Sequence, residues 1–349
     1  TTTYANVGQT SNKGVEIALQ GVLVKNRDWN VTAGFNINFN RGKVDKLADN
    51  VTGLYGTEWA TSSTFPKSDY VLKEGRPVGL VRGLTADGFY TTDDFTYENG
   101  VYTLKKGVPD VTSAVFPNYH LHSGMNERPA GQLAYPGMAK FKDLNDDGFI
   151  NDDDVDVIGD MTPIHTGGFN INATYKNFDL GLYFNWSYGN EIYNVNKLAA
   201  LYGYKEGAVY ENKLSIVKDC YKIYDVVNGE LVALTTPEQL NAANANAKLP
   251  LAYSENGYVS TLGIEDGSYL RLNTLTLGYT LPKSVLQKAG ISNLRIYGSI
   301  YNVFTITGYS GIDAEVSTST STKTYPQLGM DWGTYPRARS FVLGVNLSF

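Results

Sequence analysis

The chain has 349 residues, 18% of them charged, with a formal net charge of −6. That mild acidity, with no basic stripe, argues against a nucleic-acid partner, which needs a cationic face to displace counterions. No apolar run approaches the ~18 residues of a membrane helix, the single Cys220 has no partner for an internal disulfide, and no Gly-x-Ser-x-Gly or comparable catalytic spacing appears.

The 26 Tyr and 36 Gly suit many strands and turns, as in outer-membrane barrels with aromatic girdles or in a soluble lectin-like sandwich. The opening Thr1-Thr2-Thr3-Tyr4 lacks the charged and apolar regions of a signal peptide, so the chain reads as mature or as starting inside something larger. In the first strand Val15, Ile17, Leu19 and Leu23 alternate with Glu16, Ala18 and Gln20, and a short Lys25–Asp28 turn follows. The pattern is clearest from Trp29 to Arg41. Trp29, Val31, Ala33, Phe35, Ile37 and Phe39 alternate with Asn30, Thr32, Gly34, Asn36, Asn38 and Asn40. A period of two puts the apolar groups on one face and the polar groups on the other.

Residues 43–165 form a long connection. Val78–Tyr90 and Gly137–Lys142 look extended within it. If both crossed a bilayer, the stretch between them would be an unusually long inner turn, so both are placed in the connection, above the membrane. His120 and His122 flank Leu121, but without a Cys or third ligand nearby they read as polar loop residues. The segment 143–154 matches the calcium-loop template D-x-[DN]-x-[DN]-G. Asp143, Asn145 and Asp147 would supply side-chain oxygens, Phe149 its backbone carbonyl and Asp154 the last carboxylate, a hard oxygen set that suits Ca²⁺. Gly148 permits the sharp turn. Asp154 stands where Glu is usual, a departure that resembles the dockerin-type variant, and a solvated acidic turn is the plainer alternative.

His165 stands alone before a strand and reads as structural. Phe169, Ile171, Ala173 and Tyr175 form the next apolar row. A Lys176-Asn177 turn suits a tight hairpin, since Asn tolerates positive φ. Phe178, Leu180, Leu182, Phe184, Trp186 and Tyr188 follow, opposite Asp179, Gly181, Asn185 and Ser187. The connection Gly189–Gly267 is rich in Tyr: Tyr193, Tyr202, Tyr204, Tyr210, Tyr221 and Tyr224. Rings can stack on sugar faces, but loop packing is the prior expectation for any one of them. Leu275, Leu277, Tyr279 and Leu281 align in the strand Leu270–Leu281; Leu294, Ile296, Gly298 and Ile300 mark the next, after a short Pro282–Asn293 connection. The connection Thr305–Arg339 holds a low-complexity run, Ser317–Thr322. The final row is Phe341, Leu343, Val345, Leu347 and Phe349, and an aromatic end resembles the signal read by the outer-membrane assembly machinery.

These rows exceed the ~5–6 residues of a typical soluble strand and match the ~9–11 that cross a bilayer when tilted. Their polar faces, rich in Asn, Gly, Ser and Thr, suit a wet lumen. Short connections alternate with long ones, which places the long ones outside the cell. The fold class is therefore all-β: a transmembrane antiparallel β-barrel with long extracellular loops. Seven strands are expected here. Bacterial barrels use an even number and an open sheet in lipid would leave unpaired edges, so other polypeptide is expected to complete the wall.

Several segments, taken together and in order, carry a family resemblance: Asn6-Val7-Gly8 with Asn12-Lys13-Gly14-Val15-Glu16; Gly267-Ser268-Tyr269-Leu270-Arg271-Leu272 with Leu275-Thr276-Leu277-Gly278-Tyr279; Leu294-Arg295-Ile296-Tyr297 with Asn302-Val303-Phe304; Thr307-Gly308-Tyr309-Ser310-Gly311; and Tyr335-Pro336-Arg337 through Phe349. The chain resembles the C-terminal barrel portion of the SusC-like branch of TonB-dependent outer-membrane transporters. The resemblance implies a bacterial outer-membrane location, a barrel of about 22 strands, a plug domain and TonB-contacting segment in an N-terminal part absent from this chain, and a SusD-like surface lipoprotein as lid. The expected function is active import of a glycan or oligopeptide nutrient, with no enzymatic step. The alternatives are a passive outer-membrane channel or adhesin barrel, and a secreted calcium-stabilised carbohydrate-binding β-sandwich.

Overall fold

The computed structural model describes residues 8–49, 51–60, 64–113, 115, 128–202, 214–252, 257–287, 290–318 and 327–349. His120, His122, Tyr204, Tyr210 and residues 319–322 of the low-complexity run lie outside them, as do Asn6 and Val7. Among the described residues no helix is long and apolar enough to cross a membrane.

Seven long strands form one antiparallel sheet in sequential order: β1 (Gln9–Lys25), β2 (Trp29–Lys46), β3 (His165–Tyr175), β4 (Phe178–Tyr188), β5 (Tyr269–Thr280), β6 (Asn293–Thr307) and β7 (Ser340–Ser348). These are the seven expected strands, several of them longer than the alternating rows. Val78–Tyr90 and Gly137–Lys142 stay out of this sheet; Ala139–Phe141 pairs instead with Ala86–Phe89.

Register carries the apolar residues across the sheet in rows. Phe35 lies opposite Leu19 and Phe169, Phe169 opposite Phe184, and Phe184 opposite Leu272. Leu180 faces Leu277, which faces Gly298, which faces Leu343. The face is not covered by a second layer: Leu19 is 64% exposed and Leu343 89%. A soluble sandwich would bury such a face against a partner sheet.

Aromatic pairs close both ends of the face. Trp29 packs against Tyr175 at 4.4 Å and Phe178 against Tyr279 at 4.7 Å, both tilted, at the short-turn end; Phe39 and His165 meet at 5.5 Å and His165 stacks on Tyr188 at 5.0 Å at the other. Trp29 and Phe39 are separated by about 33 Å of strand at ~3.3 Å per residue. With a tilt near ~40° that is a band of about 25 Å, the apolar height of an outer-membrane barrel. Trp186 Nε1 donates to His165 Nδ1 at 3.0 Å, so His165 is held in this girdle as a structural residue.

Three details depart from simple alternation. In β1 a bulge at Leu23 brings Val24, not Leu23, opposite Val31. In β5 the spacing breaks between Leu272 and Leu275, and a bulge at Asn273 restores the row to one face; in β6 Ile300 and Phe304 keep an even spacing across the irregularity at Asn302–Val303, with Asn302 at φ +52°. Between β3 and β4 the left-handed residue is Lys176, at φ +51°, not Asn177. Asn177 instead uses its amide to donate to the Thr280 carbonyl at 2.7 Å. The Pro282–Asn293 connection contains a helical turn, Lys283–Leu286, with Leu286 buried.

The long connections are not loose. They fold together into a layer at one end of the sheet, and this layer holds the principal core. A four-stranded sheet joins Val155–Asp160, Leu80–Leu84, Tyr70–Leu72 and Leu54–Gly56. Tyr90, Tyr102, Tyr135, Phe141 and Ile150 from the first connection pack with Tyr193, Leu198, Leu201, Tyr221 and Tyr258 from the second and Met330 from the third. The wall can dispense with a core because its apolar groups face outward.

Candidate functional site

The inner face of the wall is polar, and its side chains bond to one another along and across strands. Asn172 donates to Asn170 at 3.1 Å and Tyr183 Oη to Asn172 at 3.2 Å. Asn273 donates to Asn185 at 2.6 Å, and Asn185 to Tyr269 Oη at 3.2 Å. The bulge that restores the apolar row also turns Asn273 onto this face. Asp179 accepts from Arg295 Nε at 2.9 Å and Nη2 at 2.5 Å. Higher up, Arg271 is only 3% exposed; its guanidinium bonds Asp313 and reaches Glu315 at 3.4 Å, and Arg337 reaches Glu315 at 3.0 Å. The third connection thus folds over the polar face rather than the apolar one, which marks the polar face as the interior side.

Asn36, Asn38 and Asn185 share this interior face, and Phe35, Ile37, Leu180, Leu182, Leu277 and Leu343 share the other.

Among the described loop tyrosines, Tyr193 and Tyr221 are packing residues. Tyr193 is fully buried and Tyr221 nearly so; Tyr221 meets Phe89 at 5.3 Å. Desolvation pushes the Tyr193 phenol well above its ordinary value, so it stays neutral. Ser317 and Thr318, at the start of the low-complexity run, clasp the third connection: Gly329 N–H donates to Ser317 Oγ at 3.3 Å, and Thr318 Oγ1 donates to the Met330 carbonyl and accepts from Trp332 N–H, both at 2.8 Å.

The acidic loop adopts a turn in which its oxygens are held by the chain's own N–H groups. Asp143 Oδ2 accepts from Gly148 N–H at 2.7 Å, Asn145 Oδ1 from Asp147 N–H at 3.0 Å and Asp147 Oδ1 from Phe149 N–H at 2.8 Å, with Gly148 at φ +86°. Phe149 starts a short strand that pairs with Asp110. Asp154 is buried, and both its oxygens are engaged, accepting from Leu144 N–H at 2.7 Å and Asn151 N–H at 2.8 Å. The donor chemistry fits Ca²⁺, and Asp143, Asn145 and Asp147 gather on one turn. Asp154 is tied into the loop as a cap, and among the described residues no three acidic, His or Cys side chains converge as a metal cluster.

A cavity of about 720 Å³ opens in the loop layer, lined among others by Asn196, Leu214, Ile312, Trp332 and Thr334. It adjoins the Arg271–Asp313 region of the inner wall through the segment Ser310–Asp313. Alternation of strands could not reveal it, because its walls come from two separate connections.

No family model matches the chain. Over 349 residues it is 30% identical to TonB-dependent receptor P3 of Formosa agariphila, an alignment that covers 99% of the chain and 29% of that receptor. It is 26% identical to TonB-dependent receptor P39 of the same organism, across 99% of the chain and 31% of the receptor. It is 23% identical to TonB-dependent receptor SusC of Bacteroides thetaiotaomicron, across 99% of the chain and 27% of the receptor. Along nearly its whole length the chain is similar to these TonB-dependent receptors. It also superposes on the RagAB peptide transporter with TM-score 0.64 at 22% identity, and on the RagAB peptide importer in the closed-closed state with TM-score 0.65 at 22% identity. Each match covers 99% of this chain and 30% of the other. The likeness confirms the expected fold, part of an antiparallel β-barrel wall. The chain spans under a third of the length of these relatives, which are named as receptors rather than enzymes.

Proposed function

We propose that the protein containing this chain is a TonB-dependent outer-membrane importer of a nutrient, a glycan or an oligopeptide too large for passive channels. In this reading the seven strands form part of the barrel wall and the loop layer roofs its outer mouth. The carrying observation is the uncovered apolar face, bounded by two aromatic girdles and backed by a hydrogen-bonded polar face, in a chain matched along nearly its whole length by TonB-dependent receptors. A lipid bilayer is the environment in which that face is stable. Among the described residues β1 and β7 are the edges of the sheet. Open edges are not stable in lipid, so further strands of the same protein would close the barrel. The plug and the TonB-contacting segment would lie in that remainder, and a SusD-like surface lipoprotein would dock over the loop layer.

The test is uptake of labelled oligosaccharides and oligopeptides by cells carrying the full-length protein, with and without TonB. Uptake that requires TonB supports import. Uptake that persists without TonB points to the passive channel.

The 143–154 segment is proposed as a structural Ca²⁺ loop, held by Asp143, Asn145, Asp147, the Phe149 carbonyl and Asp154. The supporting observation is the turn at Gly148 that gathers the first three side chains. Bound Ca²⁺ would offset repulsion among the carboxylates and stiffen the loop.

A further inference from the structure

The outward face of β1 and β2 changes character at its outer end. Up to Val15 and Phe39, which lie opposite each other, it is apolar. Two residues further on, Lys13 stands opposite Arg41, and beyond that pair Lys43 stands opposite Ser11. No register shift falls between these pairs and the apolar rows, so their side chains keep the outward side. Lys13, Arg41 and Lys43 are all exposed. Two residues are about 6.6 Å of strand, or about 5 Å of height at a tilt near ~40°. With Phe39 in the outer aromatic girdle of a membrane-spanning wall, Lys13 and Arg41 lie at the depth of the lipid headgroups, a layer about 5–7 Å thick on each side of the hydrocarbon.

The charges of this patch are not balanced within the protein. Lys43 Nζ pairs with Asp45 at 3.1 Å, and Arg41 Nη1 lies 3.5 Å from Asp160. Ser11 also bonds Asp45, and Lys13 acts on that carboxylate only from beyond ion-pair distance. Three cations thus share two carboxylates, and among the described residues Lys13 has no ion pair and Arg41 no hydrogen bond. Like charges directly opposite on neighbouring strands repel. An anion seated between Lys13 and Arg41 reverses that repulsion, and a guanidinium fork beside an ammonium matches the oxygens of a phosphate. Below the patch the rows Val15–Phe39, Ile17–Ile37 and Leu19–Phe35 continue in line with it, uncovered, with Val15 60% exposed. A free anion has no use for that apolar track; the acyl chains of a lipid do.

We infer that Lys13 and Arg41, with Lys43 beside them, form a binding site for the phosphate of an anionic lipid in the outer leaflet, whose acyl chains run down the apolar rows of β1 and β2. Clusters of Lys and Arg at the membrane surface recognise anionic headgroups in this way. The inference rests on the membrane placement proposed above and adds to it a specific lipid contact. The bound lipid neutralises the excess charge and holds this part of the wall at a fixed depth.

The experiment is native mass spectrometry and thermal melting of the full-length protein in detergent, titrated with phosphorylated lipid A, with the same lipid stripped of its phosphates, and with inorganic phosphate. Lipid A should bind and raise the melting temperature; the other two, at the same concentration, should do neither. Lys13→Gln combined with Arg41→Gln should weaken lipid A binding at one site by about 10-fold, the scale of a hydrogen bond to a charged group, and Arg41→Lys should retain part of the affinity. Lys25→Gln, at the short-turn end of β1, should bind as the wild type does. Without lipid, Lys13→Gln should melt at the wild-type temperature or above it, because a repulsion is removed. Equal binding of lipid A by the wild type and the double variant, equal binding of the phosphate-free lipid, or an equal response to inorganic phosphate overturns the inference. So does a lower melting temperature of lipid-free Lys13→Gln, which would reveal a carboxylate of the protein as the partner of Lys13. Membrane placement is read separately by flotation with neutral phosphatidylcholine vesicles: a protein that floats while its lipid A binding ignores the double variant counts against this site alone.

Discussion

Asp69 shows how a long connection acquires a fixed shape. The carboxylate is fully buried and accepts N–H bonds from Glu58, Trp59 and Ala60 at 2.8, 2.9 and 3.1 Å, with Tyr193 Oη at 3.5 Å. Desolvation outweighs these bonds and raises its pKa above the ordinary 3.8. A raised folded-state value means the folded layer binds the proton more tightly than the unfolded chain. The associated stability is full below pH 3.8 and is lost as pH rises through the folded value. Asp69→Asn removes this dependence, so thermal melting from pH 3.5 to 7 should show the wild type losing stability relative to the variant as pH rises. Parallel profiles would contradict the assignment. Gly167 makes a second residue-scale case. A Cβ there would stand 2.4 Å from both the Trp186 ring and the Asn36 carbonyl. Gly167→Ala should cost about 1–3 kcal/mol through overpacking, measurable as earlier urea unfolding in detergent.

Among the elements, the strands were the most legible part of the sequence. Period-two rows such as Trp29–Phe39 and Phe178–Tyr188 give the face directly, because a one-residue slip would send every apolar group inward. The bulges were hidden. Nothing local distinguishes Asn273 from its neighbours, and the broken spacing between Leu272 and Leu275 becomes intelligible only once both residues are seen opposite β4. Leu182, set between Ile171 and Leu275, tests the wall: Leu182→Arg should cost roughly 2–4 kcal/mol if it lies near the bilayer midplane, read as the unfolding midpoint in lipid vesicles. The acidic loop was legible as a spacing but not as a geometry, since the capping role of Asp154 depends on how the chain returns to Leu144. Its calcium proposal predicts that Ca²⁺ protects residues 143–154 of the wild type from proteolysis, that chelator removes the protection, and that Asp147→Ala lacks it while the barrel stays intact. Equal cleavage in all conditions would leave an acidic turn.

On the scale of the whole molecule, the reading from sequence missed where the core lies. Tyr90 and Tyr102 come from the first connection, Tyr193 and Tyr258 from the second, and they have no common period, so their burial in one cluster could not be read from local pattern. The cavity lined by Asn196, Trp332 and Thr334 was missed for the same reason. The result is a protein turned inside out in its lower part, greasy outside and polar within, and conventionally packed in its upper layer. The most direct test is a spin-label scan of positions 31 to 39 in the full-length protein in lipid bilayers, after replacing the buried Cys220. Labels at 31, 33, 35, 37 and 39 should be accessible to oxygen dissolved in the lipid, and those at 32, 34, 36 and 38 to a water-soluble nickel chelate. The reverse alternation, or equal access on both faces, would contradict a membrane-spanning wall.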